Sequence, residues 1–323
     1  MANSSERLND VNIGSLATND SNFWIDRGFY WLVSILSLTT IVVLFLMSWI
    51  IFNQAQPAIQ AFGFDFIWSQ EWDVPNQIFG ALTYIYGTLV SSAIAILFAV
   101  PIGLSVAIVT SEDFLPAVVR NIIAFVVELI AAIPSVIIGL WGIFVLIPVL
   151  EPVQKWAGSH LQFLPVFNTQ DPVGTNILTA GLILSIMILP TIAAISRDVL
   201  SVVPPELRSA SMALGGTRWE TIFRVLLPAG FSGIVSASML ALGRALGETM
   251  AVTMVIGNFA QIKTSLLEPA YTIPSVLANE FAEAESGLHI GALSYLGLIL
   301  FGLTLIVNIC ARLLVKLLGN QHR

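Results

Sequence analysis

Six stretches of this chain, roughly 29–52, 84–109, 118–150, 177–196, 233–256 and 291–311, are apolar for about 20 residues or more, the length a helix needs to cross the hydrocarbon core of a bilayer. They are apolar all round rather than along one stripe, as lipid-embedded helices are. Backbone amides and carbonyls have no water to bond inside a membrane, so such runs must pair them within helices. The expected fold class is therefore all-α: a polytopic membrane protein with six transmembrane helices. Composition agrees, because 10% of the 323 residues are charged, against about 25% in an ordinary soluble domain.

Composition also excludes several functions. A net charge of −7 leaves no basic face for phosphate backbones, so no nucleic-acid partner is expected. One cysteine, Cys310, rules out an internal disulfide or a multi-cysteine metal cluster, and it reads as a small buried hydrophobe in the last span. His160, His289 and His322 fall outside the six runs without ligand spacing, and read as ordinary residues of polar segments. No GxxxxGK[ST] and no Ser/His/Asp grouping is present, so neither ATP binding nor hydrolytic catalysis is expected, and no cofactor or metal. Met1 to Asp26 is polar and lacks the pattern of a cleavable signal, so the first apolar run is expected to stay in the mature chain.

Six crossings put both termini on one side, and Lys and Arg say which. With the termini in the cytoplasm, the inner segments hold Arg7, Arg27, Arg120, Arg197, Arg208, Arg218, Arg224, Arg312, Lys316 and Arg323, whereas the outer ones hold Lys155 and Lys263. The carboxylates divide evenly between the sides, which leaves the outer face negative. Such a face repels a dissolved anion, so an anionic cargo would need a carrier protein to deliver it.

The third run spans about 50 Å as a helix, more than the roughly 30 Å core. Pro134 is its natural break, and Pro101 and Pro190 mark similar interruptions. Either these prolines are ordinary residents of membrane helices, or they line a cavity where freed backbone groups meet water or ligand.

The polar segment 197–230 reads as two short helices. Pro204 and Pro205 open the first, and Gly215-Gly216 stops it with a left-handed cap. Thr217 and Glu220 have capping-box spacing at the start of the second, in which Trp219, Ile222, Phe223 and Leu226 form a stripe, and Pro228 is expected to end it. On pattern alone this amphipathic pair either packs on the chain's own helices or docks to a partner. The stretch SASMALGGTRWETIFRVLLP resembles the cytoplasmic signature of ABC-importer permeases: EAA, three residues, Gly, nine residues, Ile-x-Leu-Pro. Ser209-Ala210-Ser211 stands at EAA, Gly215 at the Gly and Val225 to Pro228 at the end, with Ser209, Ser211 and Val225 as departures. In that family the element inserts into a cleft on a cytoplasmic ATPase. The resemblance thus implies an ATPase-coupling surface at Ser209, Ala210, Gly215, Leu227 and Pro228.

Two charges stand inside the fifth run. Arg244 and Glu248 are four residues apart, which places them on one helix face. Arg244 falls about 16 Å from Gly233, near mid-depth. Each such charge costs about 2.5–3.5 kcal/mol on insertion scales. Glu128 is a third candidate, on the third run. The pair is either an ion-pair lock between helices or part of a substrate pathway. A planar guanidinium suits an oxyanion, and a nearby carboxylate suits one that still carries a proton, hence hydrogenphosphate over sulfate.

The blocks FGALTYIYGTLVSS, AVPIGLSVAI, VVELIAAIPSVIIGLWGIFVL and GRALGETMAV, in that order, resemble phosphate ABC-importer permeases of the PstC type, as does SQEWDV with Trp72 and Asp73. The resemblance implies a type I ABC-importer permease fold, with a cytoplasmic tail over 1–28, a first transmembrane helix over 29–52, a periplasmic loop over 53–83, a permease core over 84–311 containing the coupling loop 197–230, and a tail over 312–323. It implies assembly with a homologous second permease, two cytoplasmic ATPase subunits and a periplasmic phosphate-binding protein. Arg244, Glu248 and Glu128 would line the substrate pathway. The alternatives are a sister permease, a permease for another oxyanion, or, from a different class, a proton-coupled secondary transporter with Glu128 and Glu248 as its relay.

Overall fold

The computed structural model describes residues 20–169, 172–285 and 287–319, with side chains over 26–169, 172–285 and 287–313. Arg7, His322, Arg323 and the side chain of Lys316 lie outside these, as does most of the two expected tails. The elements are α1 (Asp20–Phe62), α2 (Asp65–Trp68), α3 (Leu82–Ser111), α4 (Ala117–Ala132), α5 (Ser135–Trp141), α6 (Ile147–His160), α7 (Ile177–Val202), α8 (Pro205–Ala213), α9 (Arg218–Thr221), α10 (Leu227–Gly247), α11 (Met250–Val255), α12 (Ile273–Glu280) and α13 (Gly287–Gly319). Among the described residues, six helical segments are long and apolar enough to cross a membrane: 26–62, 82–111, 135–160, 177–202, 218–247 and 287–313.

The chain divides into two compact units, up to Ile50 and from Ile51. In the first, α1 exposes Phe29, Trp31, Leu36, Ile41, Phe45 and Trp49 around its circumference. Thr39, Thr40 and Ser48 donate to the carbonyls of Ile35, Leu36 and Leu44, so these three hydroxyls are satisfied by the helix's own backbone. The helix continues past residue 52 to Phe62.

In the second unit, α3 and α7 form the core. Gly181 of α7 faces Ile94 of α3, and Gly103 of α3 faces Ile192 of α7, so the two helices run in the same direction. Membrane helices gain little from burying apolar surface against each other, and small residues allow the close approach on which their packing depends. Around this pair lie Ala95, Ala99, Ala180, Leu184, Ile188, Ala241, Ala245, Ala251 and Val255. A buried polar network ties α6 to the start of α7: Gln154 Nε2 donates to Thr179 Oγ1 at 2.9 Å, Asn176 Nδ2 donates to Gln154 Oε1 at 2.9 Å, and Asn176 Oδ1 caps α7 by accepting from the Thr179 amide.

Three expectations need correction. The third crossing is 135–160 rather than 118–150. The break is at Pro134, because the residue before a proline is pushed out of the helical region, and Ile133 is extended (φ −71, ψ 127). The separate α4 has 16 residues, about 24 Å, too short to cross. Pro101 and Pro190 interrupt nothing; α3 and α7 run through both. Gly103 sits against the Leu189 carbonyl and Ile192, so α3 holds the α7 backbone on both sides of Pro190. Pro228 does not end the second loop helix. The π-helical turn Ile222–Leu226, in which the Leu227 amide bonds back to Ile222 O, widens the helix ahead of the proline, and α9 continues into α10.

Two single-residue readings also change. His289 lies in α13 and is buried, stacked on Phe79 at 5.3 Å with Nε2 3.3 Å from Glu280 Oε2. Glu280 also accepts from Trp72 Nε1 at 2.9 Å. Cys310 is exposed on α13 rather than buried. Beside Trp72, Asp73 and Ile78 exchange backbone hydrogen bonds across a short turn. The Asn76 side chain, and then its backbone amide, hold the Asp73 carboxyl below its ordinary range.

Gly87 is the tightest approach to a backbone in this unit: a Cβ there would lie 2.2 Å from the Tyr271 carbonyl oxygen. Gly87→Val should lower the melting temperature of the purified chain in detergent, an overpacking cost of about 1–3 kcal/mol. Gly302→Ala, where a Cβ meets nothing within 4 Å, should leave it unchanged. Equal melting of the two variants would show that the contact is not tight.

Candidate functional site

Helix α10 runs antiparallel to α7. A Cβ on Gly233 would touch Val199 near one end of α7, and one on Gly257 would lie 3.1 Å from the Thr175 carbonyl just beyond the other. Arg244 falls between these two anchors, about 16 Å along from Gly233, and is therefore close to halfway through the bundle.

Its neighbours Ala241, Ala245 and Leu246 are buried, and Arg244 points the other way, exposed. Ser232, Ser236, Leu240 and Arg244 recur at every fourth position, and all are exposed. Ser236 Oγ donates to Ser232 O at 2.8 Å. The guanidinium thus stands in line with a stripe of small polar side chains on an otherwise apolar span. The four-residue spacing of the two serines is visible in the sequence and is the signal for this stripe.

The structure does not pair Arg244 with Glu248. The helix ends at Gly247, Glu248 takes an extended backbone (φ −69, ψ 126), and its carboxylate turns to the start of α11, accepting from the Ala251 amide at 3.4 Å. The geometry that would put the two on one helix face is broken between them. Among the described residues, no carboxylate lies within ion-pair distance of Arg244. Glu128 of α4 is paired instead with Arg197 of α7 at 3.4 Å, and Arg197 also lies 3.7 Å from Asp198. Arg197 is two residues before Val199, so this pair sits toward the Gly233 end, well away from the Arg244 level. Among the described residues, no group of His, Cys, Asp and Glu could hold a metal ion.

The second set of residues lies at that same end. Pro204 caps α8 and Pro205 begins it. Gly215 (φ +85) ends it: the Gly215 amide donates to Met212 O and the Gly216 amide to Ser211 O, a Schellman cap that a left-handed residue makes possible. The Thr217–Glu220 capping box is formed. Ile222 and Leu226 are buried against Ala107, Ile108, Leu200 and Ile234. Leu207, Met212, Leu214, Trp219 and Phe223 are left exposed, Leu214 by 90%. The apolar stripe is thus split between self-packing and an exposed surface. Ser209, Ala210, Gly215 and Pro228 are exposed, and Leu227 is half-buried.

Sequence reasoning missed Arg208. On α8, it reaches Glu112 and the end of α7. Its sequence position suggested only a cytoplasmic charge, because the partner is 96 residues away.

Comparison with known proteins places this arrangement. The profile described as the binding-protein-dependent transport system inner membrane component matches residues 99–320. The chain is 47% identical over 266 residues to the phosphate transport system permease protein PstC of Mesorhizobium japonicum, covering 81% of each. It is 43% identical to the PstC of Pasteurella multocida, covering 82% and 83%, and 38% identical to the PstC 2 of Mycobacterium tuberculosis, covering 85% and 86%. Among solved structures, a chain of a bacterial alginate ABC transporter in complex with alginate pentasaccharide-bound periplasmic protein aligns with TM-score 0.57 at 18% identity, covering 89% of this chain and 95% of that one. A chain of the inward-facing MetNI methionine ABC transporter aligns with TM-score 0.55 at 17% identity, covering 76% and 99%. These two likenesses concern the fold, which is that of ABC-importer permeases. The chain belongs to the family of binding-protein-dependent transport system inner membrane components.

Proposed function

We propose that this chain is the transmembrane permease subunit of an ATP-driven importer of inorganic phosphate. The observation that carries the reading is identity of 38–47% over more than four fifths of the chain to relatives named as phosphate transport permeases. The site chemistry agrees with it. A guanidinium at mid-depth stays charged at any physiological pH and donates two parallel hydrogen bonds to an oxyanion. With no carboxylate within ion-pair distance among the described residues, Arg244 leaves those donors for the cargo. Glu248, beyond the helix end, accepts a hydrogen bond from the P–OH of hydrogenphosphate, which keeps its proton, and disfavours an oxyanion that has none. Glu128 is paired through one oxygen with Arg197, which offsets its charge near the route.

The Arg244 stripe faces a homologous second permease across the route. The 204–228 segment receives the stroke of one of two cytoplasmic ATPase subunits, with Ser209, Ala210, Gly215, Leu227 and Pro228 at the contact. A periplasmic phosphate-binding protein delivers the anion to the negative outer face. Both termini are cytoplasmic, in the inner membrane of a bacterium. Energy input is required because each negative charge moved into a negative interior costs about 2.3 kcal/mol per 100 mV. This chain, a transport component rather than an enzyme, leaves that supply to its partner. A proton-coupled carrier would work alone in liposomes under a pH gradient, whereas this chain should move nothing without the ATPase.

Arg244→Ala should abolish uptake of labelled phosphate into liposomes holding the assembled complex, without loss of assembly; normal uptake would make the residue structural. At the coupling turn, Gly215→Asp should lose co-purification of the ATPase. Gly215→Asn, which tolerates a left-handed backbone, should keep it. Loss in both variants would show that side-chain bulk at this turn, rather than the added charge, breaks the contact.

A further inference from the structure

Arg208 joins three elements with one side chain. Its Nε and Nη2 donate to Glu112 Oε1 at 3.0 and 2.8 Å, Nη1 donates to Val203 O at 2.8 Å, and Nη2 also donates to Leu200 O at 2.9 Å. Glu112 is the residue that caps the end of α3, and Leu200 and Val203 are in the last turn and the cap of α7. Both side chains are largely buried, with exposures of 23% for Arg208 and 17% for Glu112. The last carbonyls of a helix have no partner within it, and a cation there meets both the orphan oxygens and the negative end of the helix dipole. Arg208 does this for α7 while holding the carboxylate at the end of α3.

The turn after α8 is fastened to the same place. Arg218 Nη1 donates to Asp113 O at 3.1 Å, and Trp219 stacks on Phe114 with ring centres 5.1 Å apart. Ser211 and Thr221 share a hydrogen bond of 2.8 Å that ties α8 to α9. The tip itself, Leu214 and Gly215, touches none of these anchors and is exposed. Beyond the anchors, α3 and α7 pack in parallel through Gly181 and Gly103.

We propose that Arg208, with Glu112, is the positioning residue that passes a displacement of the coupling turn into the α3–α7 pair, so that both core helices move as one body when the tip is pushed. The inference rests on the coupling role proposed for this loop, and it adds the internal route. A planar guanidinium is required, because a lysine ammonium is a point charge that cannot hold a carboxylate and two carbonyls lying in different directions in one fixed fork.

The test uses the complete complex in lipid, with Cys310→Ser and a reporter cysteine, Ser236→Cys, on the Arg244 face. The rate at which a charged maleimide modifies the reporter is measured with and without ATP, beside ATP hydrolysis and phosphate uptake. In the reporter background, ATP should change the modification rate. Arg208→Lys and the milder Glu112→Gln should remove that change and lower phosphate moved per ATP hydrolysed by about tenfold, the scale of a typical coupling between sites. Hydrolysis by the assembled complex should persist. A full ATP-driven change in both variants would overturn the proposal. So would parallel loss of assembly, hydrolysis and the reporter response in Glu112→Gln, because a merely structural contact fails that way. The reporter does not depend on cargo: if the reporter complex responds to ATP but imports no phosphate, the cargo reading fails and the transmission role stands.

Discussion

A guanidinium halfway through a bilayer-spanning bundle is expensive wherever it stands, and the surrounding architecture makes sense once that expense is taken as the starting condition. A carboxylate four residues on would offset it on an unbroken helix. Instead the helix stops at Gly247 and Glu248 accepts from one amide, that of Ala251, in the next short helix. The opposite face of α10 is packed with Ala237, Ala241 and Ala245, which bring it close to its neighbours and leave Arg244 turned outward along a line of serines. Charge, helix break and polar stripe together set a polar face on an otherwise apolar span, as the proposed function requires.

Movement has its own physical basis. The α3–α7 pair relies on glycines for close approach, and closely packed elements transmit displacement rather than absorb it. At one end of this pair, Arg208 and Glu112 gather the helix termini and α8 into a single polar knot. At the exposed tip, Gly215 makes a turn that other residues adopt at a cost. The two ends of the 197–230 segment differ accordingly: one side of α8 is fastened to α3 and α7, and the other leads through a π-helical turn directly into the helix that carries Arg244.

Much of this was legible in the sequence because it depends on local rules. Apolar run length identified the six crossings, the residue before Pro134 could not stay helical, and Thr217 with Glu220 formed its box. The failures come where tertiary packing overrides a local signal. Pro101, Pro190 and Pro228 look like stops, yet neighbouring helices or a widened turn carry the backbone past them. His289 looked like a loop residue because the last span begins earlier than its apolar run, and an aromatic cluster with Glu280 shelters it. The Arg244–Glu248 spacing suggested a pair because it assumed a helix without an end. The Arg208–Glu112 contact spans 96 residues of chain, a separation at which spacing carries no information.

Under the proposed function, a positive charge at position 244, reached from water, receives the anion. Charge replacement tests it most directly: Arg244→Cys in a Cys310→Ser background, treated from solution with a positively charged thiol reagent or with a neutral one of similar size. The account predicts that the cysteine variant is inactive, that the cationic reagent restores a measurable part of phosphate uptake, and that the neutral one does not. Failure of either reagent to reach the thiol, or equal uptake after both, would contradict it.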